Sequence, residues 1–166
     1  LKYLYLGSNS LNGNLPECLG NLDIIEVLIL DGNQFTGFIP SSIGTMDNLS
    51  YLNISNNQLI GGIPESIGEL VNLNFIYLNG NILTDQIPSN ICNLDINWTN
   101  PIVSSIADNF FCLQPFPDCI EEFIGTQSCG WNVSGDSNLN EEVDILDIII
   151  LLEFVLDIKS PDQLHN

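Results

Sequence analysis

The stretch "LSYLNISNNQLIGGIPESIGEL", Leu49–Leu70, carries the architecture of the whole chain. Its apolar residues Leu49, Leu52, Ile54 and Leu59 stand around Asn57 in the pattern L-x-x-L-x-L-x-x-N-x-L. The alternation in "YLNI" has period two, as expected of a short strand with one buried face. The same pattern returns on both sides: "LKYLYLGSNSLNGNLPECLGNL" from Leu1, "IEVLILDGNQFTGFIPSSIGTM" from Ile25 and "LNFIYLNGNILTDQIPSNICNL" from Leu73. Pro16, Pro40, Pro64 and Pro88 recur every 24 residues, and Asn9, Asn33, Asn57 and Asn81 do the same. A constant period of this length marks a solenoid, in which each unit contacts only its neighbours.

Each unit is expected to bury its strand residues, Leu4/Leu6, Leu28/Leu30, Leu52/Ile54 and Ile76/Leu78, and to pair in parallel with the next. The recurrent Asn turns inward, where its amide can satisfy backbone groups that would otherwise be buried unpaired. Gly13, Gly37 and Gly61 permit a tight bend, and Asp85 breaks that series. The prolines limit the chain on the return side, where a regular ladder is not needed. A fifth, irregular turn follows in "SIADNFFC", with Ile106, Asn109 and Phe111 in the repeat positions after a four-residue insertion.

These units resemble the leucine-rich repeat family, and their "LxGxIPxxIGxL" half is similar to the 24-residue class found in plant receptor ectodomains and bacterial surface proteins. The resemblance implies an α/β repeat: a curved solenoid with short parallel strands on a concave face that binds proteins or peptides. "NFFCLQPFPDC" is similar to the family's cysteine-containing C-terminal cap. By that resemblance Cys112 pairs with Cys119, which leaves Cys92 and Cys129 as the second bridge and Cys18 as the odd one out. The expected organisation is four repeats over 1–96, an irregular fifth repeat and disulfide cap over 97–129, and a separate tail over 130–166.

The residues between the buried leucines point away from the core and form the candidate ligand face: Tyr3 and Tyr5, Val27 and Ile29, Tyr51 and Asn53, Phe75 and Tyr77. Tyr and Phe offer large contact areas at low entropic cost. The alternative is that cross-strand aromatic and β-branched residues simply stabilise the sheet. Glu26 and Asp31 on this face favour a ligand carrying some positive charge. Asn48, Asn53, Asn97 and Asn132 lie in N-x-S/T sequons, and a glycan on Asn53 would obstruct the face.

The composition narrows the function classes. Lys2 and Lys159 are the only strongly basic residues and the net charge is −19. Phosphate neutralisation needs Lys and Arg, so nucleic acid is excluded as a partner, and so are anionic membrane surfaces. The most apolar stretch, Val143 to Ile158, is interrupted by four carboxylates and is short for a bilayer. No signal peptide is visible, and the start at Leu1 in mid-repeat suggests a piece of a longer chain. Cys18, Cys92, Cys112, Cys119 and Cys129 contain no C-x-x-C pair, and His165 is the only His. Disulfides in a secreted or cell-surface protein are therefore favoured over zinc.

Ahead of that apolar stretch lies "GDSNLNEEVDILD", Gly135–Asp147. With Asp136 at position 1 of a calcium loop, Asn138, Asn140, Glu142 (through its carbonyl), Asp144 and Asp147 fall at positions 3, 5, 7, 9 and 12. Val143 takes the apolar anchoring position. Glu141 stands where a Gly is usual, and Asp147 is shorter than the usual bidentate Glu. The segment resembles one dockerin repeat, a small EF-hand-like loop and helix, which implies Ca2+ and a cohesin-like or self-assembly partner. A polar loop capping the helix that starts near Glu142 is the competing reading.

Together these features describe an extracellular or cell-surface recognition module with a calcium-ordered tail for attachment. The alternative is a structural or adhesive spacer whose apolar tail helix mediates assembly. Catalysis is not expected. A triad cannot be built on the terminal His165, and Glu121/Glu122 and Glu141/Glu142 are sequence neighbours that cannot readily flank one bond.

Overall fold

Within the unit Leu1–Ser128, the computed structural model of the chain describes residues 1–100, 104–112 and 115–128. The acidic loop, its apolar helix and Cys129 lie outside the described residues. Period-two alternation produces a short strand at the start of every turn, and a second strand follows each inward Asn. Turn one holds β1 (Tyr3–Tyr5) and β2 (Asn12–Asn14), and turn two holds β3 (Val27–Ile29) and β4 (Gln34–Gly37). Turn three holds β5 (Tyr51–Asn53) and β6 (Gln58–Gly61), turn four β7 (Phe75–Tyr77) and β8 (Ile82–Leu83), and turn five β9 (Ser104–Ser105).

The first strands form a parallel sheet in the order β1-β3-β5-β7-β9. Its register aligns Leu4, Leu28, Leu52, Ile76 and Ser104 across the five turns. Leu28, Leu52, Ile54, Ile76 and Leu78 are almost fully buried in one continuous core. Each such side chain contributes roughly 1.5–3 kcal/mol by leaving water. Leu4 and Leu6 are partly buried and pack against this core.

The return side differs from the expectation of no regular ladder. A second parallel sheet, β2-β4-β6-β8, stands there and ends before each proline. Pro16, Pro40, Pro64 and Pro88 directly precede the 3₁₀ helices Glu17–Asn21, Ser41–Thr45, Glu65–Glu69 and Ser89–Asn93. Their φ values of −80°, −66°, −67° and −66° are those that the pyrrolidine ring imposes, so Pro costs nothing at this strand-to-helix junction. Ile43, Ile67 and Ile91 project from these helices into the core. The bend before each proline is left-handed in all four turns. Asp85, at φ +59°, takes the conformation that Gly13, Gly37 and Gly61 take, so the bend persists where the glycine series stops.

The asparagine row carries the cohesion between turns. Asn57 donates from Nδ2 to the carbonyls of Leu30 (3.1 Å) and Ile54 (3.2 Å), and its Oδ1 accepts from Phe35 N at 3.1 Å. Asn33, Asn81 and Asn109 repeat this arrangement on their own neighbours. Each amide therefore satisfies backbone groups of two consecutive turns. Among the described residues no helix is long and apolar enough to cross a membrane.

Candidate binding face

The strand register sets the predicted ligand residues in two rows on the outer surface of the first sheet. Tyr3, Val27, Tyr51 and Phe75 form one row, and Tyr5, Ile29, Asn53 and Tyr77 the other. Tyr3 and Tyr5 are 50% and 63% exposed and stack on each other with centroids 6.5 Å apart. Val27 and Ile29, half-buried, separate this pair from a second aromatic group. In that group Tyr51 lies 5.3 Å from Phe75 and 5.6 Å from Tyr77. The face thus carries two ring clusters joined by an aliphatic bridge. Asn53 is partly withdrawn from solvent contacts: its Oδ1 accepts from the backbone N (3.1 Å) and Oγ (2.7 Å) of Ser55.

The electrostatics of the face are simpler than its carboxylates suggest. Glu26 is paired with Lys2, and Tyr3 Oη donates to it at 3.1 Å. The Lys2 hydrogen bond, with that from Tyr3, holds the Glu26 carboxyl below its usual range, and Glu26 in turn raises Lys2. Asp31 lies over Gly7, where a Cβ would sit 2.4 Å from its Oδ1. Burial, followed by Tyr77 and then Asp31, pushes the Tyr51 phenol above its usual value.

At the other end of the solenoid the cysteine pairing departs from the family-based expectation. Cys92 bonds Cys119, with Cα atoms 5.7 Å apart, so Cys119 is not the partner of Cys112; Cys112 is itself disulfide-bonded. The reason lies in the 3₁₀ helices. Gly20, Gly44 and Gly68 occupy one place on successive helices, and a Cβ there would come within 2.4, 2.3 and 2.7 Å of the next turn's carbonyl oxygens. Cys92 is the next residue in that series. Cap residue Cys119 lies against it in place of another helix. Cys18 is a free, exposed thiol.

Gln127 was not singled out in the sequence. It bridges in parallel to Asn109, donates from Nε2 to the carbonyls of Ile106 (3.1 Å) and Ile124 (3.0 Å), and accepts from Phe111 N at 3.1 Å. It therefore performs the asparagine's task in a sixth, partial turn. Its only signal is "IGTQ", an apolar residue three places before an amide, without the 24-residue spacing. The predicted metal ligands Asp136, Asn138, Asn140, Glu142, Asp144 and Asp147 lie outside the described residues.

Two comparisons match this architecture. Residues 25–83 match a family model described as leucine rich repeat, and residues 1–22 match a second of the same description. No curated protein matches. Among solved structures, the BIR3–SERK2 complex from Arabidopsis thaliana is similar at 31% identity and TM-score 0.59, over 71% of this chain and 60% of that one. The BIR2 ectodomain from the same plant is 33% identical, TM-score 0.53, over 54% of this chain and 47% of that one. The Arabidopsis HAESA receptor kinase ectodomain, solved with an N-terminally extended IDA peptide hormone ligand, is 30% identical with TM-score 0.62. That match covers 71% of this chain and 20% of the receptor's. The chain thus spans less than two thirds of each of these relatives.

Proposed function

Since the described residues form a leucine-rich repeat solenoid, we propose that the chain is an extracellular or cell-surface recognition module that binds a protein or peptide ligand. The binding surface is the outer face of the first sheet, with Tyr3, Tyr5, Val27, Ile29, Tyr51, Asn53, Phe75 and Tyr77 as its contact residues. The observation that carries this reading is the in-register placement of five aromatic rings on one face of the sheet, with Tyr3, Tyr5 and Phe75 exposed and Tyr51 and Tyr77 half-buried. Rigid aromatic anchors are the side chains in which binding energy concentrates. The Cys92–Cys119 disulfide supports an oxidising compartment. A similar ectodomain has been solved with a peptide hormone. The role is binding and not catalysis.

Replacing Tyr5 and Tyr77 together by Ala tests the face. A partner captured by the wild-type chain is expected to bind at least about tenfold more weakly, since each lost anchor costs about 1–2 kcal/mol. Undiminished affinity, measured by titration calorimetry, would favour the second reading, a structural or adhesive spacer. One observation speaks for that reading: Phe38, Ile60, Ile82 and Phe110 lie exposed along the flank of the second sheet.

For the tail the proposal rests on sequence pattern alone. Asp136, Asn138, Asn140, Glu142, Asp144 and Asp147 hold one Ca2+, which orders the loop for attachment to a cohesin-like partner or a second copy. Calorimetric titration of the metal-stripped chain is expected to show one site that disappears in Asp136→Ala. Heat of binding that persists unchanged in that variant would place calcium elsewhere.

A further inference from the structure

Of the four N-x-S/T sequons, those at Asn48, Asn53 and Asn97 lie among the described residues, and the fold treats them differently. Asn48 donates from Nδ2 to the Asp23 carbonyl at 2.7 Å, and Ser50 Oγ donates to the Glu26 carbonyl at 3.0 Å. Asn72 makes the corresponding bond to the Asp47 carbonyl at 2.8 Å, so Asn48 belongs to a ladder that joins consecutive turns. Asn53 is half-buried within β5, in register between Ile29 and Tyr77, and the Ser55 of its sequon is buried. A bulky substituent on that amide would stand between two side chains of the sheet.

Asn97 lies between the 3₁₀ helix Ser89–Asn93 and β9, outside both sheets. Ile96 and Trp98 are 8% and 9% exposed and anchor this segment in the core, so Asn97 and Thr99, the residues alternating with them, face solvent. The Oδ1 of Asn97 accepts from the backbone N of Thr99 at 3.2 Å and from its Oγ1 at 2.7 Å. A backbone N–H can only donate, which fixes the amide oxygen on that side. The Nδ2 is left without an acceptor among the described residues. Thr is stiff at χ1, so its hydroxyl is held against the amide more firmly than that of a Ser. The Asn97 carbonyl accepts from Asn100 N at 3.2 Å and Ser104 Oγ at 3.4 Å, which ties the segment down without using the amide nitrogen.

We propose that Asn97 is the N-glycan acceptor of this solenoid. Its Nδ2 attacks the anomeric carbon of a diphosphate-linked oligosaccharide held by a transferase of the secretory route. The N–C bond forms as the C–O bond to the diphosphate breaks; the diphosphate leaves with the electron pair, and the amide proton passes to a base of the transferase. The assignment rests on the extracellular reading and is independent of which face binds a partner. Attached at Asn97, the sugar projects from a connecting loop and displaces no hydrogen bond between turns.

The test is secretion of the full chain, behind a signal peptide, from a eukaryotic host that performs N-glycosylation. The secreted chain is digested, its glycans are removed by peptide-N-glycosidase in heavy-oxygen water, and the peptides are mapped by mass. An Asn132→Gln background removes the sequon outside the described residues. Asn97 is expected to become heavy-labelled Asp in most molecules, with Asn48 and Asn53 unlabelled. Asn97→Gln is expected to remove the glycan mass from the chain, Thr99→Val to abolish the label, and Thr99→Ser to keep it. Unlabelled Asn97 in the secreted chain overturns the assignment, as does label on Asn48 or Asn53 equal to that on Asn97. Disulfide mapping of the same digest separates the two readings. An intact Cys92–Cys119 bridge beside unlabelled Asn97 removes the glycan site alone, whereas reduced cysteines beside unlabelled Asn97 count against the extracellular reading as well.

Discussion

Single residues in this solenoid are constrained by what the next turn places against them. Gly44 has no unusual φ, yet a Cβ there would come within 2.3 Å of Ser66 O, a backbone atom that cannot swing aside. Gly44→Ala is therefore expected to destabilise the fold by about 1–3 kcal/mol, the usual cost of forced overpacking, read as a lower urea midpoint. The spacing of Gly20, Gly44 and Gly68 was visible in the sequence, but spacing alone does not say whether a glycine answers φ or crowding. A second conformational row was hidden for the opposite reason. Ser8, Gly32, Asn56, Gly80 and Asp108 all adopt positive φ just after the first strand of their turns, although three of them are not glycine. Ser, Asn and Asp tolerate this region at modest cost, so residue identity masks the shared geometry.

At the level of the element, the turn is defined less by its strands than by the amide that locks it to its neighbour. Asn57 is 8% exposed and holds backbone groups of two consecutive turns, whereas Asn9, at the first turn, is exposed and bonds only to Leu6 and Gly7 carbonyls. Asn57→Ala leaves the Phe35 N–H without its acceptor and takes one of two asparagine donors from the Leu30 and Ile54 carbonyls, and is expected to cost about 1–3 kcal/mol. Asn9→Ala is expected to cost under about 1 kcal/mol, because water replaces the amide. Equal shifts in thermal melts of the two variants would contradict this account of the ladder. The repeating strands and inward asparagines were legible because a period of two within a period of 24 admits one packing. The second sheet was not. Segments such as "NGN" and "QFTG" carry little strand signal and pair only because the first sheet has already set the spacing of the turns.

Across the molecule, the cap shows how a repeat array ends. Cys92 takes the helix position that glycine takes in earlier turns and ties turn four to Cys119, across a sequence separation of 27 residues. Loop-closure entropy assigns such a bridge about 3.5 kcal/mol. Cys92→Ser is therefore expected to lower the melting temperature markedly, and peptide mapping under non-reducing conditions is expected to join the Cys92 and Cys119 peptides. A mapped Cys112–Cys119 bridge would refute the pairing.

The sequence by itself determined the period, the leucine spine, the asparagine row and the identity of the residues facing outward. All of these follow from local alternation repeated at constant spacing. Only the tertiary structure decided which cysteines meet, that Gln127 closes the amide ladder, that Glu26 is paired with Lys2, and that Tyr51 packs against both Phe75 and Tyr77. Those outcomes depend on how consecutive turns stack in space, and a one-dimensional pattern does not encode distances between residues that lie whole turns apart.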